Sequence, residues 1–310
     1  MFRFIVKRLL STVGLMVVVS LILLGIREIS LGDVAIQVLG HFSSEEQRNL
    51  WLEAHGYMDP IHIRYFRWLG GVLQGDFGMS TRFQVPVSEV LWPRLLNTGI
   101  LAGAVLLITI PVALTLGVLS GMREGSKLDR TISFASILTT SIPEFASAVF
   151  LSAVFVFTLG WLPGTSTMSN GFTFAEMVLP VTVLVIYDFG YVSRMTRASM
   201  VEVMTKPYVR TAILKGLPYH RVIFRHALRN ALIATFTVIM LQITWLLSSV
   251  IVVEYFFAYK GFGSLLLEAS LNDDLDLIEA CALVAVVVAE ATRTLTDIGY
   301  VFLNPRIRFS

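Results

Sequence analysis

The sequence predicts an all-α, polytopic membrane protein with about six transmembrane helices. Three observations carry that prediction. Hydrophobic residues make up 55% of the chain and charged residues 15%, against about 25% charged in a soluble domain. Apolar runs near the length needed to cross about 30 Å of hydrocarbon recur along the chain. The cations are also sorted by position. With both termini inside, 16 of the 24 Lys and Arg residues fall on inner segments, the bias expected of cytoplasmic loops. A net charge of +2 is too small to imply a nucleic-acid partner. Cys281 is the single cysteine, so neither an internal disulfide nor a cysteine metal site is available. It reads as a small apolar side chain packed within a span.

The first span is placed at 9–27, making 1–27 an N-terminal anchor. Arg3, Lys7 and Arg8 precede it, as in a signal peptide. The apolar run is long and no small-residue cleavage site follows, which favours an uncleaved anchor. Residues 28–96 form an extracytoplasmic loop region of mixed charge, with turn signals at Gly56, Asp59-Pro60, Gly75-Asp76 and Gly78. A transmembrane domain follows over 97–303. Its spans are placed at 98–121, 132–160, 175–193, 231–253 and 278–303. Pro143 removes a backbone hydrogen bond from the span 132–160 and should bend it. The outer segment 254–277 is acidic, with Glu254, Glu268, Asp273, Asp274 and Asp276 against Lys260 alone. Residues 304–310 are a cytoplasmic tail.

Residues 194–230 form an inner polar segment with its own punctuation. Pro207 suits the first position of a helix, where its missing N–H is not needed. Gly216 offers the left-handed residue that ends one, and Pro218 opens the next. The rod between them spans about 12 to 13 Å, too short to cross a bilayer and suited to lying on the inner face as a docking peg.

Tyr208 to Gly216, followed by His226-Ala227-Leu228-Arg229-Asn230-Ala231-Leu232, resembles the EAA loop of ABC-importer permeases, more narrowly the dipeptide, oligopeptide and nickel branch. Arg210, Thr211 and Ala212 stand where that loop has its Glu-Ala-Ala triplet, Gly216 at its glycine, and His226 at a later Ile position. Gly56-Tyr57-Met58-Asp59-Pro60 and Gly75-Asp76-Phe77-Gly78-Met79-Ser80 resemble the branch's first outer loop. Ser141-Ile142-Pro143 resembles its Ser-Ile-Pro signature, and Asn304-Pro305-Arg306-Ile307-Arg308 its carboxy-terminal ending. The departures lie at outer and gate-proximal positions: Leu31-Gly32-Asp33-Val34 lacks the usual prolines, Ala234 replaces a proline, and Tyr259-Lys260-Gly261 replaces Trp-Pro-Gly.

The resemblance implies an ABC type I importer permease in a bacterial inner membrane. It further implies a second homologous permease subunit, two cytoplasmic ABC ATPases and an extracytoplasmic substrate-binding protein. ATP and Mg would then bind the ATPases and no cofactor this chain. Pro207, Tyr208, Arg210, Thr211, Ala212, Lys215, Gly216 and His226 are the expected ATPase-coupling residues. Cargo would be a peptide or related small solute, moved by alternating access.

Charged residues within spans are costly and are functional candidates by default. Asp188 either faces the translocation path or reaches Arg194 and the lipid headgroups. Glu144 either lines the path or serves structure. Glu290, Arg293 and Asp297 share one helix face, and their mutual pairing as structural glue outweighs a substrate contact. Asp273, Asp274 and Asp276 either dock the binding protein or are merely solvated. The chain has no phosphate-binding glycine loop, no nucleophile elbow and no His-Glu-x-x-His, so no catalytic residue and no metal site is expected. The rival readings are an ion-gradient-driven secondary transporter or channel, and a membrane scaffold that transports nothing. Both leave the punctuated inner loop unexplained.

Overall fold

The computed structural model describes residues 2–29, 35–36, 38–40, 42–169 and 171–303. Among them the regular elements are helical, and an isolated antiparallel bridge joins Met79 and Pro86. In order they are α1 (Phe2–Ile29), α2 (Glu45–Ala54), α3 (Ile61–Leu73), α4 (Val87–Met122), α5 (Lys127–Ser141), α6 (Glu144–Ser152), α7 (Phe174–Met204) and α8 (Pro207–Leu214). These are followed by α9 (Tyr219–Arg221), α10 (Leu228–Phe256), α11 (Phe262–Leu271) and α12 (Leu275–Leu303). A π-helical turn, Ala153–Thr158, extends α6, and another, Val222–Ala227, leads into α10. The tail 304–310 and the segment Leu31–Val34 lie outside the described residues.

Among the described residues, four stretches are long and apolar enough to cross a membrane: Arg8–Glu28, Val87–Met122, Phe174–Met204 and Tyr219–Ile243. The pair α5 and α6 makes a fifth if it counts as one span, with a bend of 98° between its halves. That bend sits at Ile142-Pro143, where Ile142 is extended (ψ 120°) and Pro143 caps the next helix. The residue before a proline is driven out of the helical region, so the expected kink is a full break. The sixth expected span is covered by α12. Asp276, Glu279, Glu290, Arg293 and Asp297 along it leave it outside the apolar set.

The helices also outrun the predicted spans. α4 begins at Val87 and not near 98, and α7 continues to Met204 past the predicted end at 193. Hydropathy reports where charges begin, whereas a helix stops only where its backbone bonding is interrupted. For α7 that point is Lys206, extended at ψ 144° before Pro207.

Two compact units divide the chain. The first comprises Met1–Leu96 with Leu265–Glu290. Here α2 opens with a reciprocal capping box between Ser44 and Gln47. The turn after α3 places Gly78 at φ 84°, and a Cβ there would meet the Asp276 carboxylate at 2.6 Å. Only glycine combines that conformation with that approach. Ion pairs tie the unit's segments together. Arg27 of α1 reaches Asp276 and Glu279 of α12, both at 3.0 Å, and Arg8 lies 4.0 Å from Glu290.

The second unit comprises Asn97–Ser264 with Ala291–Ser310. Its central helix is α7, which packs on α5, α6 and α10. Small residues allow that closeness. A Cβ at Gly190 would collide with the Ser136 carbonyl and with Thr139 of α5, as at tightly packed membrane helix pairs. A buried core of Leu101, Val105, Leu184, Leu246 and Phe257 fills one end. Elsewhere Asp129 is buried and takes two hydrogen bonds from Arg197 of α7, one at 2.8 Å, plus one from Ser120. This bidentate pair fixes the start of α5 against α7.

Candidate functional site

The polar segment 194–230 is built from α8 and its flanks. Pro207 occupies the first turn of α8, and Lys215 is its C-cap. Gly216 follows at φ 73°, the left-handed stop that its position predicts. The eight residues of α8 span about 12 Å. Its two faces differ sharply. Val209 and Ala212 are buried, in a cluster with Met200 and Val203 of α7 and with Val222, Ile223, Ala227 and Ala231 beyond it. Tyr208, Arg210, Thr211, Ile213, Leu214 and Lys215 are exposed, Leu214 at 77%. Three of these six exposed side chains, Tyr208, Ile213 and Leu214, are large and hydrophobic.

The sequence-predicted coupling residues therefore divide. Pro207, Tyr208, Arg210, Thr211, Lys215 and Gly216 lie on the outside of the peg. Ala212 instead packs inward, a correction to its expected place on a docking surface, because every third or fourth residue of α8 must face the cluster. His226 is half-buried in the π turn that joins α9 to α10. The Glu202 carboxylate, 2.8 Å away, holds the exposed Lys206 ammonium above the ordinary lysine range.

Asp188 of α7 is buried, and its carboxylate accepts a hydrogen bond from Gln242 of α10. Its second oxygen takes no hydrogen bond among the described residues. Glu144, half-buried in the first turn of α6, lies within electrostatic reach of Asp188 and Tyr187. Next to this group, Thr140, Tyr187, Tyr191, Arg194, Leu241, Gln242 and Trp245 line a cavity of about 360 Å³.

The acidic segment differs from expectation. Asp273 is exposed, at φ 50°. Asp274 is fully buried, accepts hydrogen bonds from Ser80 and the Arg82 amide, and caps α12 through the Leu277 amide. Asp276 is paired with Arg27, and burial pushes its carboxyl above the usual range despite that pairing. Of the three acids expected either to dock the binding protein or to be merely solvated, Asp274 and Asp276 are internal ties. Charge counting along a segment cannot separate them, because burial is decided by which chain segments pack above it.

Glu254 is likewise no loop acid. It is buried at the end of α10, accepts hydrogen bonds from Thr98 and the Ser264 amide, and stands where a Cβ on Gly261 would collide with it. Burial pushes the neighbouring Tyr259 phenol up to about 12, with the Glu254 charge adding to the effect. Asp129 was also legible in principle, since Ser126-Lys127-Leu128-Asp129 is a helix-start signature and Ser126 does cap α5. Nothing in the sequence pointed to its partner Arg197. Glu290 approaches Arg8 of α1, a neighbour outside the expected triad on its own helix.

Comparison with known proteins agrees with this architecture. A family model for the binding-protein-dependent transport system inner membrane component matches residues 113–309. A second, for the N-terminal region of such membrane components, matches residues 1–90. The chain is 32% identical over 316 residues to an oligopeptide transport system permease protein of Bacillus subtilis, covering 100% of both chains. It is 30% identical over 252 residues to an oligopeptide transport system permease protein of Salmonella typhimurium, covering 81% of this chain and 82% of that one. A glutathione transport system permease protein of Salmonella paratyphi A is 30% identical over 309 residues, with 100% of each chain covered. The two matched regions together include α1 to α3 and α5 to α12. This chain belongs to the family of binding-protein-dependent transport system inner membrane components and is a membrane permease subunit of an ABC importer.

Proposed function

We propose that this permease subunit forms one wall of a pathway for peptides and couples it to ATP hydrolysis through α8. A second, related permease completes the pathway, two cytoplasmic ATPases hold ATP and Mg, and an extracytoplasmic binding protein delivers cargo. Both termini and the inner segment face the cytoplasm. The chain itself makes and breaks no covalent bond. The peptide assignment draws on relatives named for oligopeptide transport.

The observation that carries the coupling is the two-faced peg. Its buried face is packed against residues at the end of α7 and the start of α10, so displacement of α8 moves both helices. Its exposed face offers Tyr208, Ile213 and Leu214 with Arg210 and Lys215, a mixture of aromatic, aliphatic and cationic groups suited to a protein groove. Nucleotide favouring one ATPase arrangement would thereby shift the permease between inward and outward openings. That requires different affinities for the two states.

Leu214→Asp tests the assignment, because Leu214 is exposed and its replacement leaves the buried cluster intact. Uptake and co-purification of the ATPase should both fall about tenfold or more, since hot-spot losses of about 2 kcal/mol are usual at such anchors. Normal expression with undiminished uptake and ATPase binding would remove α8 from the coupling role.

A further inference from the structure

The cavity between α5, α7 and α10 combines features that a structural contact does not need. Tyr187, Tyr191 and Arg194 are spaced i, i+4 and i+7, so they share one face of α7. Gln242 and Trp245 face them from α10, and Thr140 from α5. Arg194 donates from Nε to the Gly190 carbonyl at 3.3 Å, and among the described residues no carboxylate pairs with its guanidinium. An arginine held beside a cavity of aromatic and amide groups is a ready receptor for a carboxylate.

Near Tyr187 the field is negative, although no carboxylate among the described residues lines the cavity. Asp188 is buried with one oxygen unbonded among the described residues, and Glu144 adds its field at Tyr187. Asp188 also anchors Gln242, which lines the cavity. An ammonium is favoured over the ring face of Tyr187, which does line the cavity, within the negative field of those carboxylates. Tyr187 and Arg194 lie seven positions apart along α7, about 10 Å of helix axis. An extended peptide advances about 3.4 Å per residue, so the termini of a tripeptide stand about 10 Å apart. The volume of about 360 Å³ lies at the lower end of the ligand-pocket range.

Resting on the peptide-import reading above, we propose that this cavity is a cargo subsite for zwitterionic peptides of two or three residues. Arg194 takes the carboxylate, and the end formed by Tyr187 takes the ammonium. The cavity is then where the permease itself reads the ends of its cargo, apart from selection by the binding protein.

Photo-crosslinking from Leu241, on the cavity wall, tests this. The assembled transporter is purified with p-benzoylphenylalanine in place of Leu241 and exposed to millimolar radiolabelled trialanine or trialanine amide, without binding protein. Trialanine should label this subunit, and its amide about tenfold less, the loss expected for one charge-assisted contact. Arg194→Gln should bring trialanine down to the level of the amide, and Arg194→Lys should restore part of the difference. Equal labelling by acid and amide with Arg194 in place overturns the proposal, whatever the folding of the variants. Labelling by neither peptide, in a complex that imports trialanine when binding protein is added, also overturns it and leaves peptide import standing. A complex that imports no peptide of any length would sink the import reading and this subsite with it.

Discussion

Asp273 and Asp274 are adjacent in sequence and opposite in role. The exposed Asp273 side chain makes no hydrogen bond or ion pair among the described residues, whereas Asp274 accepts from Ser80 and Arg82 and caps α12. Removing the acceptor from a buried network leaves its donors unsatisfied, at a cost of about 1–3 kcal/mol. Asp274→Ala should therefore lower the thermal midpoint of the purified protein, and Asp273→Asn should leave it unchanged. If Asp273 helps receive the binding protein, its neutralisation should slow uptake only at low ionic strength and subsaturating binding protein. Equal thermal midpoints for the two variants would contradict the burial assigned to Asp274. Gly261 makes the same point from the other side. Its conservation of space around Glu254 is a packing requirement, invisible in a charge pattern.

At the scale of the element, α8 shows how much punctuation alone can specify. Proline opens it, glycine closes it, and both act through backbone conformation available in the sequence. Gly216 has φ 73° and open space where a Cβ would stand, so a substitution there meets strain and no collision among the described residues. Gly216→Ala should cost about 1–2 kcal/mol, the penalty of a left-handed non-glycine residue. Hydrogen exchange over 207–217 should accelerate accordingly while the rest of the second unit keeps its protection. Unchanged exchange in this segment would show that the glycine stop does not stabilise it. The break at Pro143 obeys the same local logic. The π turn at 222–227 does not, since its residues carry no comparable signal and its extra backbone residue is accommodated by packing.

For the whole molecule, the orientation proposed from the cations is open to direct test. On a Cys281→Ala background, single cysteines can replace Lys127, Thr205 and Ser270, all exposed. Ser126 is a poorer choice because its hydroxyl caps α5. With both termini inside, an impermeant maleimide applied to the outer face should label Ser270→Cys alone. Labelling of Thr205→Cys from that side would reverse the assignment.

The sequence by itself determined the class of the protein, the approximate spans, the break at Pro143 and the limits of α8. Each rests on a local property: apolar run length, the charge flanking it, or the backbone restrictions of proline and glycine. Tertiary structure decided which charges are free. Asp129 with Arg197, Asp274 with Ser80, and Asp188 with Gln242 are pairs separated by 68, 194 and 54 residues. The cavity beside Arg194 draws its lining from three helices in the same way. Such partners are chosen by packing between distant segments, and a side chain's own sequence neighbourhood contains no record of that choice.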